Sequence, residues 1–566
     1  MYLIVYKMPG GLLNLVSYGS QNVILNGNPS KTFFKCAYAK YTNFGLQKFR
    51  IDFDGLRNLR MNESSEFIFK VPRYADLLMD TYLVVTLPTI WSPIIPPTDC
   101  ASVWQPYEFK WIKDLGSQMI ERIRFSAGGQ IIQEFTGQYL YNMVERDFNN
   151  VKKDLYYKMT GNVAELNDPG NVGSRTNVYP NAYFTANRLG PDPSIRSRKL
   201  YIPINIWFTL AAKMGFPLVS MQYNELQIEI LLRPVKELFV IRDVESQGGY
   251  YHQPNFNNPY EQFYRFLQPP PDISLNTVSY QDRRTNWAAD IHLISTYAFL
   301  DNDEVRVFAA NEQQYLIKEA YYHHHNNVTG TRRVDLYSLG MVANWMWFFQ
   351  RSDVNLRNEW SNYSNWPYNY IPYDVIDPSG AAQWEVTPGG CPPVVPPPPP
   401  AFPTIDPSIE GDGTPTTILI TPTFNIANTK DIMLQWALIL DGKYRENELD
   451  AGILEYVEKY VRTSGNAPDG LYCYNFCLHT NPFDFQPSGG MNVSKFNDIQ
   501  FEVVTIQPPL DPSAQVLTIC DASGGIIGVN KPTWRIYDYN FDLTILEERY
   551  NVLTFTSGMA GLMYAR

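Results

Sequence analysis

The sequence predicts an all-β protein built from antiparallel sandwiches, with a few short helices. Its 566 residues include 39 Tyr and 31 Phe, and aromatic residues are favoured in strands. It also holds 42 Pro and 35 Gly, many of them between apolar runs, which is typical of short strands joined by long loops. In several segments apolar and polar residues alternate with a period of two, as they do in strands that lie half on a core. The length allows more than one domain.

The first half begins with an arm and continues as strands. Residues 1–30 are rich in Gly, Asn and Ser with isolated apolar residues, and we expect an arm that needs a neighbour to pack on. Alternation at 202–209 and 226–232 predicts two strands with one apolar face. The nearly continuous apolar run at 81–87 predicts a strand buried on both faces. Residues 122–135 predict a hairpin around two central glycines.

One helix and one long insertion interrupt these strands. Val144, Phe148, Val151 and Leu155 recur at spacings of three and four, which predicts an amphipathic helix. A stretch rich in Gly, Pro and Asn then runs over about 161–198. It is too long for a simple turn, so we expect a projecting or flexible loop.

The second half repeats the β–helix–β organisation. Strands resume at 290–300, and a Trp- and Tyr-rich loop covers about 351–390, followed by a proline run that favours polyproline II. Leu449, Ile453, Tyr456 and Tyr460 predict another short amphipathic helix. We therefore expect two antiparallel sandwiches of about eight strands each. The predicted boundaries are an arm at 1–30, a first sandwich at 31–243, a connection at 244–285, and a second sandwich at 286–566 with a Pro-rich insertion at about 351–417.

Charge and composition exclude several classes of protein. The net charge is −11 without a dense basic block, so no direct contact with nucleic acid is expected. Six Cys in 566 residues do not form a dense disulfide framework, which favours reduced thiols. The N-terminal MYLIVYKMPGG is a poor signal peptide, and no apolar run reaches the length of a membrane helix.

Motifs that carry chemistry are mostly missing. The sequence lacks the phosphate-binding, dinucleotide-binding, zinc-protease and nucleophile-elbow patterns, so we expect no enzyme, no cofactor and no metal site. The run His323–His325 is expected in a solvated loop, since adjacent residues on a strand point to opposite faces. Cys473 and Cys477 are too far apart on one strand for a disulfide. Ser488 lacks a nucleophile elbow, and its surroundings favour a structural corner.

Four Asn-x-Ser/Thr sequences occur, at Asn62, Asn327, Asn362 and Asn492. Asn327 and Asn362 lie in predicted loops, where a glycan can be attached. These two are therefore the candidate glycosylation sites.

Several segments, in order, resemble the major capsid proteins of nucleocytoplasmic large DNA viruses, mimivirus-like giant viruses among them. The similar segments are FFKCAYAKYTNF (33–44), VPRYADLLMDTYLVVTLP (71–88), WIKDLGSQMIERIRFSAGGQIIQEFTGQYL (111–140), YAFLDNDEVRVFAANEQQYLI (297–317), QPSGGMNVS (486–494) and RYNVLTFTSGMAGLMYAR (549–566). The residues that match the family's two most specific motifs are Gln486, Pro487, Ser488, Gly489, Asn492 and Ser494, and Ser557, Gly558, Met559 and Gly561.

The resemblance implies a double jelly roll and a structural role. It implies a homotrimer that forms a pseudo-hexagonal capsomer and tiles an icosahedral capsid shell. The expected partners are further copies of the chain, neighbouring capsomers, minor capsid proteins and the inner membrane layer. The expected location is the virion, with synthesis and assembly in the host cytoplasm.

Two alternatives remain open from the sequence. One is a minor double-jelly-roll capsid protein, or a scaffold protein that forms a temporary lattice. The other, from a different class, is a carbohydrate-binding or carbohydrate-active β-sandwich protein, because the aromatic loop NEWSNYSNWPYNY (358–370) could stack on sugars.

Overall fold

The structure is a computed structural model that divides into two compact units, residues 1–44 and residues 45–566. It describes residues 10–55, 58–95, 105–180, 192–242, 251–269, 280–284, 287–368, 429–511, 517–520, 526–530 and 535–564. In the first unit, the described residues form two short helices, α1 (Leu13–Val16) and α2 (Val23–Asn26), followed by irregular chain. Nearly all of them are exposed.

The second unit contains most of the strands and helices. Its strands, with β1 beginning at the boundary, are β1 (Phe44–Asp52), β2 (Ser65–Lys70), β3 (Leu77–Leu87), β4 (Ile94–Ile95), β5 (Gln105–Pro106), β6 (Glu108–Trp111), β7 (Ile120–Ala127), β8 (Gln130–Phe135), β9 (Arg198–Pro203), β10 (Phe216–Pro217), β11 (Leu226–Leu232), β12 (Phe239–Arg242), β13 (Tyr251–His252), β14 (His292–Leu300), β15 (Gln313–His325), β16 (Thr331–Asp335), β17 (Met341–Arg351), β18 (Met433–Leu440), β19 (Lys443–Asp450), β20 (Leu471–Asn475), β21 (Met491–Asn492), β22 (Ile499–Thr505), β23 (Leu517–Cys520), β24 (Ile526–Asn530), β25 (Phe541–Thr556) and β26 (Met559–Leu562). Its helices are α3 (Leu115–Gln118), α4 (Gly137–Asp147), α5 (Asn150–Thr160), α6 (Ala164–Asn167), α7 (Trp207–Leu210), α8 (Asn302–Ala310) and α9 (Glu458–Arg462).

The principal strands form two sandwiches with the same topology. In the first sandwich one sheet has the order β1-β14-β3-β9 and the other β2-β11-β7-β8; in the second the orders are β15-β25-β17-β20 and β16-β22-β18-β19. Counted along the chain, each sandwich pairs its strands as first-eighth-third-sixth and second-seventh-fourth-fifth. This strand order is that of a jelly roll. Each sandwich therefore places its third-to-fourth and fifth-to-sixth connections at one end.

The first sandwich follows the predicted alternation closely. In β11 the residues alternate between buried and half-buried along its whole length, because one face lies on the core. The predicted hairpin joins β7 to β8 through Gly128 and Gly129, with φ values of 58° and 84°. Both values are positive, which is the backbone of a type I′ turn and favours glycine.

The second sandwich begins later than the sequence predicts. Strand β14, at His292–Leu300, pairs with β3 and completes the first sandwich; the expected second sandwich had included it from residue 286. Helix α8 then leads to β15, the first strand of the second sandwich. The boundary differs because the eighth strand of a jelly roll lies beside its first strand. Local sequence patterns do not reveal such a long-range pairing.

The core of the second sandwich is built from aromatic side chains. Trp347 stacks on Trp436 with ring centroids 5.1 Å apart, and Trp345 packs edge-on against Phe501 at 5.2 Å. All four residues are completely buried. They come from both sheets, so the aromatic cluster joins the two layers of this sandwich.

Other predicted elements differ in detail. The single helix expected around 144–155 is two helices, α4 and α5, and Asn149 caps the second by accepting a hydrogen bond from Lys152 N at 2.9 Å. The strand expected at 202–209 ends at Pro203 and is followed by α7. Residues 391–403, the proline run, lie outside the described residues, as does part of the 161–198 insertion. Among the described residues, every helix is too short or too polar to span a lipid bilayer.

Candidate functional site

The two sandwiches of the second unit pack directly on each other over a surface called here the seam. Strand β17 is buried on both faces: Trp345 and Trp347 point into the second sandwich, whereas Met346 and Phe348 pack into the hydrophobic core of the first. Leu546 of β25 joins the same core. One apolar core therefore extends from the first sandwich to the outer face of a sheet of the second.

A buried ionic network crosses the seam. The Arg146 guanidinium, on α4, lies 2.8 Å from Glu548 Oε1 on β25 and 2.7 Å from Asp147 Oδ2. Asn344 Nδ2 donates to Glu548 Oε2 at 2.7 Å, and Tyr139 OH donates to Glu548 Oε1 at 3.0 Å. All five residues are buried. Each charge has a charged or hydrogen-bonding partner, which is the condition under which buried charges are tolerated.

The two carboxyls of this network have different proton affinities. Burial alone would raise the pKa of Glu548, but Arg146, Lys318 and the hydrogen bond from Asn344 lower it to about 2. Burial raises the pKa of Asp147 and outweighs the opposing effect of Arg146. The lowered pKa of Glu548 therefore keeps its carboxylate ionised opposite Arg146 across the seam at neutral pH.

The QPSGG segment forms a corner between β20 and β22. Ser488 Oγ donates to His479 O at 2.8 Å and accepts from His479 N at 3.2 Å. These bonds involve the backbone of His479 and not its imidazole, so they do not form a catalytic pair. Gly489 has φ +136°, and a Cβ there would lie 3.0 Å from Phe476 O. Gln486 and Pro487 line a cavity of about 60 Å³ between the sandwiches.

The same segment ends on the third strand of its sandwich. Asn492 pairs with Met341 as part of β21, and its Oδ1 accepts a hydrogen bond from Ser494 N at 3.1 Å. Ser494 Oγ in turn accepts from Gly340 N at 2.7 Å. The side chains of Asn492 and Ser494 thus satisfy backbone groups at the turn that enters the following strand.

The SGM segment forms the last hairpin and contacts the first sandwich. Ser557 and Gly558, with φ values of 54° and 80°, join β25 to β26. Gly558 O accepts hydrogen bonds from Gln222 N at 3.0 Å and Tyr223 N at 3.2 Å. Both donors belong to the first sandwich, so this turn is a second point of attachment across the seam. The neighbouring Met559 and Gly561 lie on β26.

The Trp- and Tyr-rich loop, described up to residue 368, packs on the first sandwich. Trp360 Nε1 donates to Glu237 O at 3.1 Å. The Tyr363 ring is buried and stacks on Phe348 with centroids 4.0 Å apart. These rings are engaged within the protein, which argues against a sugar-stacking surface at this part of the loop.

The histidine run lies on a strand and not in the expected solvated loop. His323 and His325 are half-buried on β15, and burial lowers the pKa of each. His324 Nδ1 is 3.1 Å from Thr544 Oγ1 on the neighbouring strand β25. The loop expectation was wrong because β15 extends through the run to pair with β25. In the described ranges, no group of three His, Cys, Asp or Glu side chains is placed to hold a metal ion.

The two neighbouring cysteines are free and buried. Cys473 lies on β20 within the seam, and burial raises the pKa of its thiol to about 11. Cys477 follows the end of that strand, and burial raises its pKa as well. Both are therefore thiols of low reactivity at neutral pH.

The two candidate glycosylation sites differ in accessibility. Asn327 is exposed in the turn between β15 and β16, with φ +58°. Asn362 is only 7% exposed, and its Nδ2 donates to Glu359 Oε2 at 3.0 Å and Trp366 O at 2.7 Å. A glycan on Asn362 would break both hydrogen bonds, so this fold excludes Asn362 as an acceptor while Asn327 stays a candidate.

Two models of known protein families together match most of the chain. Residues 32–266 match the family described as major capsid protein N-terminus, and residues 304–561 match the large eukaryotic DNA virus major capsid protein. The major capsid protein of Phaeocystis pouchetii virus is 25% identical over 99% of this chain and 100% of its own length. The major capsid protein of Paramecium bursaria Chlorella virus 1 is 22% identical with the same coverage of both chains.

Solved structures share the fold. A chain of the PBCV-1 virus capsid superposes with a TM-score of 0.56 at 18% identity, covering 94% of this chain and 100% of that one. The Faustovirus major capsid protein gives a TM-score of 0.57 at 12% identity, covering 93% of each chain. The predicted fold class, an all-β double jelly roll, is confirmed.

Two jelly rolls in tandem, packed on each other along the seam, are the fold of double-jelly-roll capsid proteins. Within that class, this chain belongs to the major capsid proteins of large eukaryotic DNA viruses. It is a structural component of the virion and not an enzyme.

Proposed function

We propose that three copies of the chain form a homotrimer whose six jelly rolls make a pseudo-hexagonal capsomer, and that this capsomer tiles the facets of an icosahedral capsid. The observation that carries the proposal is the tandem arrangement: two sandwiches have identical strand order, and the core of the first extends to the outer face of a sheet of the second. A rigid pair of similar blocks is suited to forming a ring with pseudo-sixfold symmetry from three chains.

The long insertions project from the capsomer as a tower. The connection from the fifth to the sixth strand in the first sandwich, which contains 161–198, belongs to one end of that sandwich. The connection from the third to the fourth strand in the second, which contains 351–417, belongs to the corresponding end of its own. Loops at such ends can vary without disturbing the sheets.

The arm connects the capsomer to other components of the virion, namely minor capsid proteins and the inner membrane layer. The arm, residues 1–30, and the residues that follow it up to 44 contain no Asp or Glu, and the residues just after the arm include Lys31, Lys35 and Lys40, in a chain of net charge −11. Their apolar side chains are exposed, among them Leu25 (87%) and Phe34 (99%). A basic segment with exposed apolar side chains is suited to binding an acidic or membranous surface. Synthesis and assembly in the host cytoplasm belong to the same proposal.

The mass of the purified protein in solution tests the trimer. Light scattering coupled to size exclusion is expected to give a species of three times 65.1 kDa. Such particles should show hexagonal outlines by electron microscopy. A folded monomer at all accessible concentrations would contradict the proposal.

A further inference from the structure

Within one chain, the two sandwiches contact each other through different surfaces: a helical connection of the first lies on a sheet of the second. The connection between the fifth and sixth strands of the first sandwich includes helix α4, which is buried along its whole length. Arg146 of α4 bonds Asn344 and Glu548 on the sheet β15-β25-β17-β20 of the second sandwich. The fifth-to-sixth connection of one sandwich thus covers the outer face of the other's first-eighth-third-sixth sheet.

The corresponding connection of the second sandwich is a helix with its apolar side towards solvent. It runs through a π-helical turn, Ile453–Val457, into α9. Five apolar residues at helical spacing are exposed, and they are called here the outward stripe: Ile453 (38%), Tyr456 (59%), Val457 (53%), Tyr460 (91%) and Val461 (59%). The sequence pattern predicts an amphipathic helix through Ile453, Tyr456 and Tyr460, and the structure places these three side chains outside.

The orientation of this helix is held by buried polar side chains on its opposite side. Glu455 is 3% exposed and Lys459 is 8% exposed. Glu455 Oε1 accepts a hydrogen bond from Gly470 N at 2.7 Å, and Lys459 Nζ donates to Pro468 O at 3.2 Å. Rotating the helix to bury the stripe would break these bonds, so the stripe stays outside in the single chain.

The equivalent sheet of the first sandwich offers a matching surface, with side chains exposed on its edge strands. The outer face of its sheet β1-β14-β3-β9 carries Lys48, Arg50, Asp80, Tyr82 and Tyr201, called here the open sheet face. The Lys48 and Arg50 side chains are 64% and 41% exposed, and Tyr201 is 40% exposed. On the central strands of this face Val84, His292 and Thr296 are 1%, 3% and 6% exposed, much as Thr544 and Glu548 are at 2% each on the equivalent sheet of the second sandwich. The exposed part of the open sheet face is therefore its two edge strands, β1 and β9.

We propose that the outward stripe of one copy docks on the open sheet face of a second copy, and so repeats between chains the contact that α4 makes within the chain. This inference rests on the proposed assembly and names its surfaces. Each copy offers one helix stripe and one sheet face, so the contact is head-to-tail and closes into a ring if the rotation allows. The tyrosines of both surfaces and Arg50 of the open sheet face match the enrichment of Tyr and Arg at interface centres.

Paired variants of the full chain test the docking. Replacing both stripe tyrosines, Tyr456→Ser with Tyr460→Ser, is expected to lower the mass in solution from three times 65.1 kDa to 65.1 kDa. Tyr201→Glu on the open sheet face is expected to do the same. Both variants should remain folded as monomers and should melt at similar temperatures, because the altered side chains are exposed and do not contribute to the core of the single chain.

A matched control comes from the opposite end of the second sandwich. Tyr337 and Leu339 are 85% and 66% exposed in the connection between β16 and β17, so Tyr337→Ser with Leu339→Ser should leave the mass of the oligomer unchanged. If the stripe variant stays trimeric, or if Tyr201→Glu stays trimeric while the stripe variant dissociates, the inference is wrong and the trimer itself stands. A monomeric wild-type protein would instead overturn the proposed function.

Discussion

Asp114 shows how a single residue can make stability depend on pH. It is 6% exposed and adopts φ +54°, and its Oδ1 accepts a hydrogen bond from Asn162 Nδ2 at 2.5 Å. Burial, with a smaller contribution from Glu145, raises the pKa of Asp114 from 3.8 to about 7 against the opposing effects of Ser361 and Lys113. The folded protein therefore holds this proton over a range in which the unfolded chain has lost it.

The sign of the effect follows from that difference. Between about pH 4 and pH 7 the unfolded chain binds fewer protons at this residue than the folded chain, so the free energy of unfolding falls as pH rises. Asp114→Asn removes the charge and keeps the acceptor oxygen. At pH 8 the variant should be more stable than the wild type by on the order of 3 kcal/mol, and at pH 4 the two should be equal.

Thermal melting across this pH range measures the difference. Asp154→Asn, on the exposed side of α5, is the control and should leave the pH profile unchanged. A variant Asp114→Asn whose profile runs parallel to the wild type would show that the Asp114 carboxyl stays ionised in the folded protein.

At the scale of elements, two hairpins use the same turn for different purposes. Asp441 and Gly442 join β18 to β19 with φ values of 47° and 74°, and Ser557 and Gly558 join β25 to β26 with 54° and 80°. A Cβ on Gly442 would meet nothing within 4 Å, whereas a Cβ on Gly558 would lie 2.8 Å from the Tyr223 ring. Only the second turn therefore needs glycine for close approach as well as for backbone conformation.

Replacing each glycine by alanine separates these two requirements. Gly442→Ala should cost about 1 kcal/mol, from the positive φ alone. Gly558→Ala should cost about 2 kcal/mol, because the Tyr223 ring and its backbone hydrogen bond to Gly558 O must also shift. If urea unfolding gave the same decrease in the free energy of unfolding for both variants, the Tyr223 ring would move away from the added Cβ at no cost in stability.

At the scale of the whole molecule, the seam makes the two jelly rolls one cooperative unit. The core of the first sandwich includes Met346, Phe348 and Leu546 of the second, and the charges of Arg146 and Glu548 meet between them. Unfolding either sandwich alone would expose this apolar surface and leave a buried charge without its partner. The body of the protein should therefore unfold in one transition, although chains of this size often do not.

Glu548→Gln tests the ionic part of that coupling. The variant keeps the shape of the side chain but leaves Arg146 with Asp147 as its remaining charged neighbour, so the free energy of unfolding should fall by about 3 kcal/mol. Calorimetry measures the loss and shows whether the single transition splits. Glu165→Gln, in an exposed pair with Arg198, is the control and should melt like the wild type. An unchanged Glu548→Gln would mean that apolar packing alone holds the seam.

Local patterns in the sequence were sufficient for much of the fold. The alternation at 226–232 and the glycine pair at 128–129 predicted β11 and the β7–β8 hairpin, because the side-chain period of a strand and the positive φ of its turn are local properties. The resemblance of the QPSGG and SGMAGL segments identified the family. Helical spacing around Ile453 and Tyr460 also predicted a helix there.

What only the tertiary structure decided depends on contacts between distant residues. Periodicity predicts an apolar stripe on a helix but not whether its own chain covers it, so only the structure shows that the outward stripe is exposed. Two further contacts join residues more than two hundred positions apart in the chain: β14 pairs with β3, and Arg146 forms an ion pair with Glu548. The sequence by itself determined the alternating strands, the β7–β8 turn and the family. Packing of one sandwich on the other determined which surfaces are buried and which remain exposed, because burial depends on contacts between residues far apart in the chain.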